Sequence, residues 1–281
     1  MSSYRFCRTD DVSLLVDALN RCWSPHFPDE PAETPASFKR SIRDLQVWCS
    51  SCMVAFAGSD PIAVLIGAKR PSGTLIHKIA VHPDHLRQGH GRHLLTSISS
   101  KLAILGPPRM VAEVPESFAP TRALLNACGY IQEAILTDYV LQQDHNDIAV
   151  EGFVIPVTVD DLTANGLLEE PDAHLCWERS VETLTARKDE IAGLAVASDE
   201  RIEAYLLYVD RGLEETEILS LRSFVEDGGA RLTQLLSQLR ARGMTSRFAK
   251  IHPAEISTEL LDTLGFRRAG RHLLYAARAR S

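Results

Sequence analysis

A chain of 281 residues and 31.1 kDa is about twice the usual domain size, so its length points to two domains with ordinary cores and excludes a small stapled scaffold. Hydrophobic residues make up 45% and charged residues 24%, the balance of a globular protein and not of a disordered or fibrous one. The formal charge of -7 resides in the second half: residues 1–145 carry 14 Lys+Arg against 14 Asp+Glu, and residues 146–281 carry 16 against 23, which leaves no electrostatic footprint for duplex nucleic acid.

In chain order, residues 1–11 carry Arg5, Arg8, Asp10 and Asp11 and lack the apolar stretch of a secretory signal, so the cytoplasm is the expected location. Apolar runs such as Pro61 to Ala68 are strand-sized and fall short of the roughly 18 residues of a bilayer span, so no membrane partner is expected. Thr9-Asp10-Asp11 offers N-cap chemistry before Leu14, Leu15 and Leu19, the apolar positions of a first helix. The proline-rich stretch Trp23 to Phe38 reads as a loop between two helices, with Trp23, His26 and Phe27 either lining it or packing under it. Met53 to Ile66, broken by Ser59-Asp60, has the pattern of a hairpin. Thr74 to Val81 is a strand that Pro83 stops, and Leu94, Leu95, Ile98 and Leu102 follow helical spacing before Gly106.

The second half repeats this order. Arg109 to Leu141 matches Arg247 to Ala277 at a shift near 136 residues, with Gly129-Tyr130 on Gly265-Phe266 and Tyr139 on Tyr275. Leu194 to Leu207 repeats the hairpin around Ser198-Asp199. Leu232, Leu235, Leu236 and Leu239 repeat the helix before Gly243, and Val159-Asp160-Asp161 repeats the capped start before Leu162 to Leu168. Two domains are therefore expected, 1–145 and 146–281, joined by the polar stretch Gln142 to Asp147. Six scattered cysteines (Cys7, Cys22, Cys49, Cys52, Cys128 and Cys176) read as reduced core thiols, and the lone Cys49-x-x-Cys52 has no second pair.

The segment with most chemical content is His82-Pro83-Asp84-His85-Leu86-Arg87-Gln88-Gly89-His90-Gly91-Arg92, which follows a strand and opens directly into a helix. Such a helix start presents unpaired backbone N–H groups and the positive end of its dipole to an anion. Side chains at Gly89 or Gly91 would hold a phosphate away, while Arg87 and Arg92 add charge. Five of the ten histidines (His77, His82, His85, His90 and His93) crowd this region, but no nearby Cys or acidic pair completes a tetrahedral set, so no metal is expected.

This strand, loop and helix, followed about forty residues on by Gly129-Tyr130, resembles the GCN5-related N-acetyltransferase (GNAT) superfamily, whose acyl-CoA loop follows R/Q-x-x-G-x-G/A. The resemblance covers nearly the whole chain as two tandem copies and implies an α/β (α+β) fold, each copy a mixed, mostly antiparallel twisted sheet with helices on both faces. It also implies acetyl-CoA as co-substrate, an amine acceptor as partner, and a monomer or homodimer. Leu86, Arg87, Gln88, Gly89, His90, Gly91 and Arg92 would hold the CoA diphosphate, and backbone groups of Ile79, Ala80 and Val81 would pair with the pantetheine arm like an added strand. Splaying of the strand ending at Val81 from that at Met110 to Val114 would make the thioester slot, where the N–H of Val81 polarises the carbonyl. His77 is the candidate base, with a half-buried strand histidine as the bland alternative. Glu113 would orient a water or the amine, or else serve as a structural carboxylate.

Two departures stand out. Leu86 replaces the family's Arg or Gln, and Leu125 replaces the tyrosine that many members use to protonate the leaving thiolate, so the general acid is unassigned. In the second copy, aligning the leucines sets Ala230 and Leu232 where Gly89 and Gly91 stand, with Glu226 and Asp227 in the diphosphate region, as expected of a degenerate domain. Direct acetyl transfer to an amine is the expected function. The alternative is a non-catalytic acyl-CoA binder or sensor, and a third reading is a partner protein whose acidic half docks a basic surface.

Overall fold

The computed structural model describes residues 2–142, 153–168, 176–212, 215–241 and 245–280. The chain divides into a first compact unit of Met1–Ala134 with Leu273–Ser281 and a second of Ile135–His272. Where the sequence reading cuts once, after residue 145, the chain crosses between units twice, each time inside a long strand. The expected linker, apart from Gln142, lies outside the described residues.

The first unit contains β1 (Ser2–Phe6), α1 (Val12–Cys22), α2 (Pro35–Leu45), β2 (Met53–Ala57), β3 (Asp60–Arg70), β4 (Gly73–Val81), α3 (His90–Leu105), β5 (Arg109–Pro115) and α4 (Ala119–Ala127). Its strands run β1-β2-β3-β4-β5, with the chain's last strand beyond β5, and only β4 and β5 pair in parallel. Leu94, Leu95, Ile98 and Leu102 on α3 are buried against Ala63, Leu65, Ile76, Met110 and Ala112 of the sheet and Leu125 of α4, and Leu273 and Tyr275 join the same core. Burying each such aliphatic side chain stabilises the unit by about 1.5–3 kcal/mol.

Local capping differs from expectation in an informative way. Asp11 stands at the N-cap of α1, but its carboxylate faces outward, accepting from Arg5 and from the Arg8 N–H, and does not cap the helix. In α2 the cap is a reciprocal pair, Thr34 and Ser37, preceding a helix whose first residue, Pro35, needs no N–H partner.

The second unit repeats the plan after β6 (Ile131–Leu141), the strand in which the chain first crosses. It comprises β7 (Val154–Val157), α5 (Val159–Ala164), α6 (Val181–Ala186), β8 (Ala192–Ala197), β9 (Ile202–Asp210), β10 (Glu215–Ser223), α7 (Ala230–Arg240), β11 (Thr245–Ile251), α8 (Thr258–Thr263) and β12 (Phe266–Arg278). The sheet again is mostly antiparallel, with β10 and β11 its parallel pair. Leu232, Leu235, Leu236 and Leu239 of α7 pack on one face and Leu162 and Leu184 of α5 and α6 on the other. The first helix is capped by Thr158, which pairs reciprocally with Asp161, one residue earlier than the expected Val159 start, and it is only 6 residues long. Gly243 lies outside the described residues. Among the described residues no helix is long and apolar enough to cross a membrane.

Candidate active site

The strand that carries the site is bent by one extra residue. In the pairing of β3 with β4, Ile66 faces Lys78 and Gly67 faces Ile76, so His77 is the unpaired residue of a β-bulge. On its other side β4 pairs with β5 only at Thr74–Met110 and Leu75–Val111. Past the bulge the two strands part.

What the parted edge presents follows from alternation. The His82 N–H donates to the Ile62 carbonyl of β3 at 2.9 Å, so even-numbered residues here serve β3, and Ile79 and Val81 turn their N–H and C=O groups toward the gap. The side chains of Ile79 and Val81 pack on the α3–α4 core, and Ala80 is buried on the opposite face. Glu113 alternates with Ala112 and Val114, which face that same core, so its half-buried side chain lies on the other face of β5. His77 is half-buried at the bulge.

The loop after β4 makes one short turn at Pro83–His85 and then enters α3 with Arg87 at φ 62° and Gly89 at φ 88°. The left-handed conformation costs a side-chain-bearing residue such as Arg87 about 1 kcal/mol, whereas glycine bears it freely. The two glycines therefore have separate reasons. Gly89 supplies its φ, and a Cβ there would meet nothing within 4 Å. Gly91 supplies closeness, because a Cβ would stand 2.9 Å from Leu124 Cδ2 and 3.8 Å from Val81 Cγ2. No side chain caps α3, so the N–H groups of its first turn, at His90, Gly91 and Arg92, are left to an outside acceptor. Leu86, Arg87, Gln88 and Arg92 are exposed around them.

His90 is the exception among the loop residues. Its ring is buried, with Nδ1 2.6 Å from the Tyr4 hydroxyl, and burial, helped by the neighbouring His85 and His93, lowers its pKa from the ordinary value. Only its backbone faces the helix entrance. The His82, His85 and His90 rings stand 6.0 and 6.2 Å apart in sequence, and no group of three metal-ligand side chains occurs among the described residues.

On the far side of β4 the stretch between α1 and α2 is well tied. Trp23 stacks on Phe27 at 4.2 Å between ring centroids, Phe27 lies 4.8 Å from Phe118 at the start of α4, and the His26 Nε2–H donates to the Val81 carbonyl at 2.8 Å. Lys78 holds its ammonium over Trp23 at 5.2 Å and 3.6 Å from Glu33 Oε2. Phe118 carries no sequence signal, and the His26 contact joins residues 55 apart. Leu125 is fully buried in the core, and the Tyr130 hydroxyl is buried against the Met110 sulfur, which raises its pKa. Burial likewise raises the half-buried Cys128 thiol and pushes Cys7 and Cys22 up to about 12. Cys49 and Cys52 are buried free thiols.

The second unit reproduces this frame and fills it. Its parallel pairing also stops at a bulge, but the bulged residue is the buried Leu219. The Arg179 guanidinium lies where the strands part, donating to the carbonyls of Leu219 on β10 at 3.4 Å and Lys250 on β11 at 3.1 Å, and to both Glu255 oxygens at 2.5 and 2.6 Å. At the start of α7 the N-cap is Gly229, φ 90°, and not Ala230 as leucine alignment suggested. The leucine register is one residue out of phase with the cap, so Arg231 stands two past the cap where α3 has Gly91. The Asp227 carboxylate accepts from the N–H groups of Gly229 at 3.0 Å and Arg231 at 2.9 Å. That helix entrance already holds an anion.

Residues 13–130 match the Acetyltransferase (GNAT) family. No curated protein matches the sequence. Among solved structures, a GCN5-related N-acetyltransferase from Sphaerobacter thermophilus aligns over 100% of this chain and 96% of its own at 15% identity, TM-score 0.68. A tandem GNAT protein from the clavulanic acid biosynthesis pathway aligns over 100% and 99% at 16% identity, TM-score 0.66. A GCN5-related N-acetyltransferase from Anabaena variabilis aligns over 100% and 73% at 12% identity, TM-score 0.69. At these identities the likeness is one of fold.

Proposed function

We propose that this chain, whose residues 13–130 match the GNAT acetyltransferase family and which has the fold of tandem GNAT proteins, moves an acetyl group from acetyl-CoA to a primary amine of a small molecule or peptide, by direct attack in a ternary complex. The observation that carries this reading is the open entrance of α3, with Gly89 and Gly91, beside the gap that opens between β4 and β5 at His77.

In this reading the first-turn N–H groups, with Arg87 and Arg92, hold the diphosphate, as the dipole and unpaired donors of a helix start favour. The outward groups of Ile79 and Val81 pair with the pantetheine amides, and the Val81 N–H polarises the thioester oxygen. His77 takes the proton of the acceptor ammonium and Glu113 orients the amine or a water. The thiolate, with a pKa near that of cysteine, about 8.5, leaves with modest help, so the buried Leu125 does not exclude turnover.

The test is release of free thiol from acetyl-CoA in the presence of a panel of primary amines. An enzyme releases thiol in step with acetylated amine. A non-catalytic acyl-CoA sensor, the reading favoured by Leu125 and by Leu86, binds acetyl-CoA and releases none.

A further inference from the structure

Resting on the donor site just described, we infer that the chain acetylates itself, with the Lys78 amine as an acceptor built into the strand that binds the donor. Residues 1–145 contain four lysines, Lys39, Lys69, Lys78 and Lys101. The Lys69 and Lys101 ammoniums donate to the carbonyls of Leu105 and Ser50, and Lys39 is exposed on α2. Lys78 is the lysine of β4, next to the bulged His77 and three residues before Val81. It shares a face of the strand with Ala80, opposite the α3–α4 core. That is also the face of Glu113, which in the proposed reading orients the amine.

The Lys78 ammonium is presented and not tied down. Its 3.6 Å to Glu33 Oε2 is an ion-pair distance, longer than a hydrogen bond, and its other contact is the Trp23 ring at 5.2 Å. Both partners are fixed from elsewhere. The Ser37 hydroxyl donates to the Glu33 carboxylate, Asn20 clamps the Glu33 backbone at 2.7 and 2.9 Å, and the Trp23 N–H donates to Glu30 at 2.9 Å. The Lys78 side chain is 22% exposed, so it swings away at the cost of one screened ion pair and one cation–π contact. Three residues of strand, about 10 Å, separate it from Val81. Lysine's four-carbon stem and the acetyl end of the donor cover that span from both sides.

The step balances without another reactant. His77 takes one proton from the Lys78 ammonium, and the freed lone pair attacks the thioester carbonyl carbon. The C–N bond forms, the C–S bond breaks, and its electron pair leaves on sulfur. Of the two protons the nitrogen sheds, one ends on the thiol and the other passes from His77 to solvent. The product amide carries no charge, so Glu33 and the Trp23 ring lose their cation.

The experiment incubates the purified chain with acetyl-CoA and no added amine. Peptide mass spectrometry counts acetyl groups before and after, with thiol release followed alongside. One acetyl group should appear on Lys78 with an equal amount of thiol, at a rate independent of protein concentration. The exposed Lys39 reports the uncatalysed reaction. His77→Leu should slow uptake at Lys78 by about 10²- to 10⁴-fold and leave Lys39 unchanged. Lys78→Arg keeps the cation and should lose the thiol release that needs no added amine. Uptake at Lys78 no faster than at Lys39, or rising with protein concentration, in a chain that acetylates added amines overturns the inference while the proposed function stands. A chain that acetylates neither itself nor any added amine overturns both.

Discussion

The two units start from one plan and treat its two openings in opposite ways. Both have a strand bulged next to a parallel partner and a helix entered through a left-handed glycine, Gly89 or Gly229. In the second unit the gap between strands is bridged by Arg179 and the helix entrance is taken by Asp227, both charges supplied by the chain itself. In the first unit the entrance has no side-chain cap and the gap's edge is met by the exposed His26 imidazole. The frame is thus a scaffold, and whether it receives a ligand depends on a few side chains that do or do not fill it.

The sharpest way to break the comparison is to give the first unit the second unit's bulge. His77→Leu should lower kcat by about 10²- to 10⁴-fold, the usual weight of a general base, with acetyl-CoA affinity retained, because Leu219 demonstrates that such a bulge accepts leucine. Unchanged turnover would show that the base lies elsewhere. The converse is to empty the second unit's gap. Arg179→Met leaves the largely buried Glu255 unpaired and should cost about 3–5 kcal/mol in denaturant unfolding, most of it recovered when Glu255→Met is added.

Filling the first entrance is a milder change. Gly91→Leu pushes into Leu124 and should weaken acetyl-CoA binding at least about tenfold in calorimetry, roughly 1.4 kcal/mol. Asp227→Ala removes the carboxylate that accepts from the Gly229 and Arg231 N–H groups at the start of α7 and should cost the second unit about 1 kcal/mol, read from the same unfolding curves. The smallest effect concerns pH. Burial, with His85 and His93 beside it, depresses the pKa of His90 in the folded chain, so as pH falls the unfolded chain takes up that proton first. The contribution is complete above about 6.5, the unfolded value, and is lost as pH falls through the folded one. Urea midpoints between pH 7 and 5 should decline less steeply in His90→Gln.

Local features were legible in the sequence and long-range ones were not. Pro83, the Gly-x-Gly step and the spacing of Leu94, Leu95, Ile98 and Leu102 describe β4, its loop and α3 within some thirty residues, and the structure has them there. Leucine periodicity reports which face of a helix is buried but not the phase of its cap, which is why Ala230 was matched to Gly89 while Gly229 holds the conformation. An acidic residue before a helix does not reveal its partner: Asp11 bonds outward to Arg5, and Thr158 caps α5. The bulge at His77, the Arg179 clasp and the His26–Val81 bond depend on strand registers and on residues 40 to 76 apart, and no window of sequence contains them.

Leu273 and Tyr275, from the last strand, are buried in the core beneath α3. During synthesis the ribosome has therefore made the whole of the second unit before the first can close its core. A message cut short after the Gly-x-Gly loop, or even after α8, yields a nascent chain with the loop but not the last wall of its housing. Closure of the first unit's core is in this way tied to synthesis of β12, some 140 residues after the unit's other strands.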